Sequence, residues 1–268
     1  MKAVTTDGLP EVRGAFEWRR SGDLVWLESS PGAATAAFST RLGGVSEGSY
    51  RSLNLGVLTD DVRDRVAANR RALARALGRD SASIVMGRQV HGAAVQIREV
   101  HAGAAPMPDS PLREADAQVT AARELTPLVL VADCVPLVLA SPGAVAAVHC
   151  GWRGVAAGVV ERALAALHDR APGEVHAALG PGIGACCYEV GDEVREAFRA
   201  RGHGGDVLAD GRLDLALAVR GELERLGVGA DRVHACGLCT SCSEELFFSH
   251  RRDRGLTGRQ AGLAWLSS

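Results

Sequence analysis

The stretch that decides the fold runs from Ala132 to Gly154. It reads Ala132-Asp133-Cys134, Val135-Pro136-Leu137-Val138-Leu139-Ala140, Ser141-Pro142-Gly143, Ala144-Val145-Ala146-Ala147-Val148 and His149-Cys150-Gly151-Trp152-Arg153-Gly154. An apolar run, turn residues and a second apolar run spell a β-hairpin. With the loop centred on Ser141 and Pro142, Cys134 and His149 are equidistant from it and fall opposite each other. Opposed side chains on an antiparallel pair have Cβ atoms about 4.5–5.5 Å apart. A thiolate and an imidazole at that separation can share a metal ion or a proton.

Strand and helix signals alternate irregularly on either side of this hairpin. Residues 15–38 read as paired strands with a turn at Ser21-Gly22-Asp23, followed by a polar, Gly-rich loop from Ser39 through Gly56. Asp60 or Asp61 is placed to cap a helix carrying Val62, Val66, Leu73 and Leu77 at helical spacing, with Gly78 ending it. Strands are expected at Ile84 to Met86 and Ala94 to Val100, flanking Gln89-Val90-His91-Gly92. Ala102 to Leu112 holds three of the chain's ten prolines and reads as an exposed loop. Beyond the hairpin the pattern predicts a helix over Gly154 to Arg170 and a strand over Val175 to Leu179. Helices near Val190 to Arg201 and Leu213 to Leu226 follow, then a strand at Val233 to Ala235 and an Arg-rich C-terminal tail. The interleaving lacks the strict alternation of a Rossmann fold. No linker interrupts the chain, so one domain over residues 1–268 is expected.

Composition narrows the function. The 268 residues are 47% hydrophobic but only 4% aromatic, so the core must be built mainly from Ala, Val and Leu. A formal charge of −2 gives no footprint for nucleic acid or an anionic membrane. Met1 to Gly14 lacks a signal-peptide core, and the longest apolar region, Leu128 to Ala140, is too short to span a bilayer. Seven cysteines, an odd number in apolar or Gly-rich settings, fit reduced thiols in a cytoplasmic protein.

Taken singly, His91, Cys134 and His149 each have an ordinary structural reading. Together they form a His/Cys/His set at strand ends, which leaves the fourth tetrahedral position of zinc open, as catalytic sites require. Thiolate and imidazole favour zinc or copper over magnesium. Asp133 points to the strand face opposite Cys134, which suits orienting a ligand or carrying a proton. Arg153 at a helix start and Arg41 in its Gly-rich loop are candidate anion clamps. Gly180-Pro181-Gly182-Ile183-Gly184 can bring backbone close to a ligand, although it fits neither the P-loop nor the dinucleotide fingerprint. Cys236, Cys239 and Cys242 form a C-x2-C-x2-C run that lacks a nearby fourth thiolate unless distant Cys186 or Cys187 supplies it. Packed thiols near a turn are the expected reading there.

The strings Thr40-Arg41-Leu42-Gly43-Gly44-Val45-Ser46, Ser52-Leu53-Asn54-Leu55-Gly56, Gln89-Val90-His91-Gly92, Ala132-Asp133-Cys134, Val148 to Gly154, Leu179 to Gly184 and Phe247-Phe248-Ser249 occur in the order of one known family. Over about Phe38 to Leu266 the chain resembles the YfiH-like family, formerly described as multicopper polyphenol oxidoreductase laccases and now associated with purine nucleoside phosphorylase activity. The resemblance implies an α+β, single-domain α/β/α sandwich around a mixed sheet. It also implies a catalytic zinc on His91, Cys134 and His149. The activity implied is phosphorolysis of adenosine, inosine, guanosine and methylthioadenosine, with adenosine deamination. Arg41, Asn54, Arg153 and Gly182 are then the substrate- and phosphate-side candidates, with Cys134, His149 and Asp133 at the reacting centre. Cys150 stands where the family usually has Ala, and His250 where Tyr is common.

Two alternatives stand beside this reading. One is a copper-dependent polyphenol oxidase, which a three-ligand site cannot by itself furnish with several coppers. The other is a metal-free hydrolase with Cys134 as nucleophile and His149 as base, editing cell-wall precursors. The expected partners are purine nucleosides and phosphate, for a monomer or small homo-oligomer with no nucleic-acid or membrane role.

Overall fold

Alternating burial along the strands builds two sheets that share an apolar interlayer. The computed structural model describes residues 8–99 and 112–267, so most of the proline-rich segment from Ala102 to Leu112 lies outside the described residues. The strands are β1 (Phe16–Ser21), β2 (Leu24–Ser29), β3 (Ala34–Ser39), β4 (Ile84–Val85), β5 (Val95–Arg98), β6 (Ala117–Thr120), β7 (Thr126–Val131), β8 (Val135–Ser141), β9 (Ala144–Cys150), β10 (His176–Leu179), β11 (Val233–Ala235) and β12 (Gln260–Leu266). The α-helices are α1 (Arg63–Ala76), α2 (Trp152–Ala156), α3 (Val159–Arg170), α4 (Asp192–Ala200) and α5 (Leu215–Arg225). One six-stranded sheet has the order β1-β2-β3-β12-β7-β4 and the other β11-β10-β8-β9-β6-β5. Both are mixed: β4 runs parallel to β7, β5 to β6 and β10 to β11, and the remaining pairs are antiparallel. The fold is thus α+β, with its mixed strands divided between two sheets.

Side-chain alternation assigns each strand face to a layer. Phe38, Val138, Ala140, Val145, Ala178, Ala264 and Leu266 pack together between the sheets. Leu137, Leu139, Ala144, Ala146, Val148 and Cys150 point the other way, onto Val160, Ala163, Leu164 and Leu167 of α3 and onto α5. On the far side of the first sheet, Leu128, Ala261 and Leu263 meet Leu53, Leu55 and Leu73 of the α1 layer. Because β8 and β9 are covered on both faces, their sequences are continuous apolar runs rather than alternating ones.

The hairpin forms, with a shifted register. Its loop is Pro142-Gly143, closed by the Ser141↔Ala144 pair, so His149 stands opposite Pro136 and not Cys134. The offset spans two residues on one strand, and a two-residue shift preserves the face. Cys134 and His149 therefore still project to the same side, at the mouth of the interlayer.

Three other boundaries differ from expectation. The helix expected over Gly154 to Arg170 is two helices, because Gly158 adopts a left-handed φ of 85° and turns the chain between α2 and α3. Val62 and not an aspartate is the N-cap of α1; the Asp61 carboxylate instead accepts from Ser46 Oγ at 2.6 Å and Asn54 Nδ2 at 2.9 Å. The C-terminal tail contributes β12, hydrogen-bonded between β3 and β7 in the interior of the first sheet. No helix among the described residues is long and apolar enough to cross a membrane.

Candidate metal centre and substrate cavity

The ends of β7 and β9 open onto a cavity of about 540 Å³, a size that suits a small-molecule ligand. His91, Cys134 and His149 line it together, with their candidate ligand atoms all within 4.8 Å of one another. The two imidazoles meet edge to face, with ring centroids 4.9 Å apart. His91 is exposed, Cys134 half-buried and His149 buried, so the set has a dry back and an open front. Two imidazoles, one thiolate and an accessible fourth side fit a zinc ion better than a hard cation.

One carboxylate organises two of the three. Asp116, fully buried just before β6, places Oδ1 2.7 Å from His149 Nδ1. It also accepts the backbone N–H groups of Val90 at 3.1 Å, His91 at 2.9 Å and Gly92 at 2.9 Å. The Asp116 carbonyl accepts the His149 N–H at 2.7 Å, extending the β6–β9 ladder by one residue. These bonds hold His91 at a positive φ of 58°, a conformation that non-glycine residues seldom adopt. Gln89 secures the other end of that loop: its side-chain amide donates to the Leu130 carbonyl at 2.7 Å and accepts the Leu130 N–H at 2.8 Å, as a neighbouring strand would.

The electrostatics favour a thiolate. Burial pushes the Cys134 thiol up, but the charge and hydrogen bond of His149 and the hydrogen bond of His91 outweigh it and bring the pKa down to about 6. Burial likewise opposes charge on His149, yet Cys134 and Asp116 together raise its pKa to about 9. Burial also acts to raise the Asp116 pKa, but hydrogen bonds from His149, Val90 and Gly92 leave it below the usual carboxylate range. With Nδ1 bonded to Asp116, His149 presents Nε2 to the cavity, the arrangement seen for metal-bound histidines.

Asp133 lines the cavity beside Cys134, with its backbone at a left-handed φ of 92°. Its Oδ1 accepts from Thr240 Oγ1 at 2.7 Å and its Oδ2 from the Arg251 N–H at 2.6 Å, while its carbonyl accepts the Ile183 N–H at 2.7 Å. It thereby ties three segments together around the site.

The substrate-side candidates divide. Arg153 lines the cavity, with its guanidinium 4.2 Å from the Trp152 ring centroid. Arg41 does not line it: Nε donates to the Arg51 carbonyl at 2.7 Å, Nη1 to the Glu244 carbonyl at 3.1 Å, and the guanidinium covers Phe248 at 4.6 Å. Those bonds make Arg41 a brace between loops. Asn54 is fully buried and stands behind the wall, where its Oδ1 accepts the N–H groups of Gly56 at 3.0 Å and Arg259 at 2.9 Å. Gly182 is also behind the wall. A Cβ there would lie 2.7 Å from Val135 Cγ2, so its glycine serves backbone packing, and Ile183 is the residue that reaches the cavity. Cys150 faces the α3 layer and not the site, whereas His250 does line the cavity.

Sequence reasoning missed Asp116, Arg88, Arg251 and Arg259. Arg88 directly precedes the Gln89-Val90-His91-Gly92 string and Arg251 follows Phe247-Phe248-Ser249 by two residues, the one local signal available, and all three arginines line the cavity. An acidic residue between two alanines directly before a strand was the one available sign of Asp116. Besides the His91 set, the convergence of metal-binding side chains among the described residues consists of Cys186, Cys187, Cys239 and Cys242.

This two-sheet α+β fold, with a His/Cys/His centre at the mouth of its interlayer, has clear relatives. The chain belongs to the family described as multi-copper polyphenol oxidoreductase laccase, matched over residues 35–267, and is of the YfiH/YlmD type within it. It is 42% identical to purine nucleoside phosphorylase SCO2081 of Streptomyces coelicolor, over 91% of this chain and 100% of that protein. The crystal structure of YlmD from Geobacillus stearothermophilus superimposes with a TM-score of 0.85 and 33% identity, covering 96% of this chain and 100% of that one. The structure of a Bacillus licheniformis hypothetical protein YfiH gives a TM-score of 0.83 at 31% identity, covering 93% and 98%.

Proposed function

We propose that the protein is a zinc-dependent purine nucleoside phosphorylase that cleaves adenosine, inosine, guanosine and methylthioadenosine with phosphate and also deaminates adenosine. The observation that carries this reading is the convergence of His91, Cys134 and His149 on the floor of a cavity that four arginines also line. Relatives named purine nucleoside phosphorylase support it. His91, Cys134 and His149 would hold the zinc ion, which would supply Lewis acidity and a more acidic water for the hydrolytic step.

The chain's own groups supply binding and orientation. Arg88, Arg153, Arg251 and Arg259 create a positive field in a cavity where the carboxylate among the described lining residues is Asp133. Such a field suits phosphate, whose oxygens guanidinium groups bind in a fork. Trp152 and Tyr188 give the same cavity aromatic faces for a purine, each with an arginine against its ring. Holding phosphate and nucleoside together lowers the entropic barrier to attack at the anomeric carbon. Asp133 is our candidate for moving a proton at the purine. Cys134 acts here as a ligand, because its sulfur lies within reach of both histidines and is already a thiolate near neutral pH.

Incubation of zinc-loaded protein with adenosine and phosphate should release adenine and ribose 1-phosphate, with inosine formed in the absence of phosphate. Full zinc occupancy with no nucleoside consumed would refute the proposal. Activity that survives chelation but disappears in Cys134→Ser would instead favour the Cys-His hydrolase. Copper bound in preference to zinc, with phenol oxidation, would favour the oxidase.

A further inference from the structure

The C-x2-C run that the catalytic site leaves unused has found its missing partners. Cys239 and Cys242 meet Cys186 and Cys187, and all four Sγ atoms lie within 4.8 Å of one another. Cys242 Sγ is 3.4 Å from both Cys186 Sγ and Cys187 Sγ, in contact without being bonded. Cys236, the first cysteine of the run, is buried in the interlayer core and is not among the four.

We propose that Cys186, Cys187, Cys239 and Cys242 form a second, structural metal site that holds one zinc ion as a tetrathiolate. A tetrahedral ion with Zn–S bonds of about 2.3 Å sets its sulfurs about 3.8 Å apart. The Cys242 sulfur lies 3.4 Å from those of Cys186 and Cys187, just inside that value, and all four sulfurs fall within 4.8 Å of one another. The spacing Cys239-x-x-Cys242 is that of a structural zinc ligand pair. Four soft ligands with no imidazole or carboxylate among them select zinc over harder ions.

The backbone around the thiols is already built. Gly182 and Cys239 pair as a parallel bridge, and the Thr240 N–H donates to the Gly182 carbonyl at 3.0 Å. The Gly184 N–H points at Cys239 Sγ at 3.2 Å, a bond that strengthens when the sulfur is a thiolate. The Cys187 N–H closes the turn onto the Gly184 carbonyl at 2.9 Å, which brings two successive cysteines toward the same point.

The site also has a structural purpose. One of its loops carries Ile183 and Tyr188, both in the cavity wall. The other carries Thr240, whose hydroxyl holds Asp133 at 2.7 Å. An ion joining them would clamp the cavity wall to the segment that braces Asp133, linking Cys187 to Cys242, 55 positions further along the chain.

Elemental analysis of protein purified under reducing conditions tests this directly. Wild type should carry two zinc ions per chain, Cys186→Ser/Cys242→Ser one, and His91→Ala/His149→Ala one. Cobalt loaded into the His91→Ala/His149→Ala protein should give the intense sulfur-to-cobalt charge-transfer and tetrahedral visible bands of a tetrathiolate, lost on adding Cys242→Ser. If that background does not fold, the same bands are sought as the second equivalent of cobalt added to wild type. A wild-type stoichiometry of one with no tetrathiolate spectrum would overturn the proposal. So would a disulfide at Cys242 in the purified protein, detected by non-reducing mass spectrometry. Because the readouts are metal content and spectrum, failure of the nucleoside reading leaves this result unaffected.

Discussion

Asp116 Oδ1 and His149 Nδ1 lie 2.7 Å apart in a fully buried contact, and the same carboxylate also binds the backbone that carries His91. One side chain thus fixes the imidazole of one candidate ligand and the main chain of another. Replacing Asp116 with Asn keeps the shape but removes the charge and turns one acceptor into a donor facing an N–H group. Loss of such a supporting carboxylate lowers metal affinity by about 10–100-fold. Competition against a chromophoric chelator should show that loss for Asp116→Asn; an unchanged zinc affinity would contradict the role given to Asp116.

Gly151, between His149 and the start of α2, leaves no room for a side chain. A Cβ there would sit 2.7 Å from His91 Cδ2 and 3.1 Å from Cys134 Sγ. Gly151→Ala should therefore displace the ligands and reduce zinc affinity at least about tenfold, while an N-cap change of this kind costs roughly 1 kcal/mol or less of stability. Isothermal titration and thermal unfolding on one preparation separate the two effects.

Zinc affinity should depend on pH with a sign set by the site's own pKa values. The metal-free centre holds a proton on His149 up to about pH 9 and a thiolate at Cys134 down to about pH 6. Zinc must displace the His149 proton, so between these values affinity falls by at least about tenfold for each unit that pH drops. Below about 6 the Cys134 thiolate is protonated as well and the fall steepens. Proton release measured in two buffers of different ionisation enthalpy checks the slope, and a flat profile from pH 6 to 9 would contradict the ion-pair assignment.

Arg259 lines the cavity, with its backbone pinned by Asn54 and its guanidinium bonded to the carbonyls of Thr257 at 2.9 Å and Gly258 at 2.8 Å. A lost charge-assisted hydrogen bond is worth about 1.5–3 kcal/mol. Arg259→Met should accordingly raise the KM for phosphate by about tenfold or more and change the KM for nucleoside much less. Equal effects on both substrates would remove Arg259 from the phosphate side.

Away from the site, Glu222 of α5 is buried at 1% exposure and binds Arg201, His203 and Arg225. Burial works to raise its pKa, but these partners, Arg201 foremost, hold it below the usual carboxylate range. Removing one member of a buried ionic network typically costs about 3–5 kcal/mol, the loss expected for Glu222→Ala by urea unfolding. Because its folded pKa is depressed, its contribution is present above the unfolded value of about 4.3 and disappears as pH falls through the folded one. The gap between wild type and variant should close in acid.

Local chemistry made much of this legible in the sequence. The apolar runs on either side of Pro142 require a hairpin, and α5 and β11 fall where periodicity places them, because pattern and burial agree there. The C-terminal tail reads as an Arg-rich end until β12 takes its place between β3 and β7, since its neighbours lie more than a hundred residues away in the chain.

The sequence by itself determined the α+β class and the hairpin and singled out His91, Cys134 and His149 as candidate ligands, because each depends on residue identity and short-range spacing. Only the tertiary structure decided which polar groups meet. It brought Asp116 under His149, gathered arginines from distant loops around one cavity, moved Arg41 and Asn54 behind its wall, and closed four cysteines from two turns on one point. Such meetings are fixed by how two sheets stack and where loops return, and neither is encoded at the separations over which a pattern can be read.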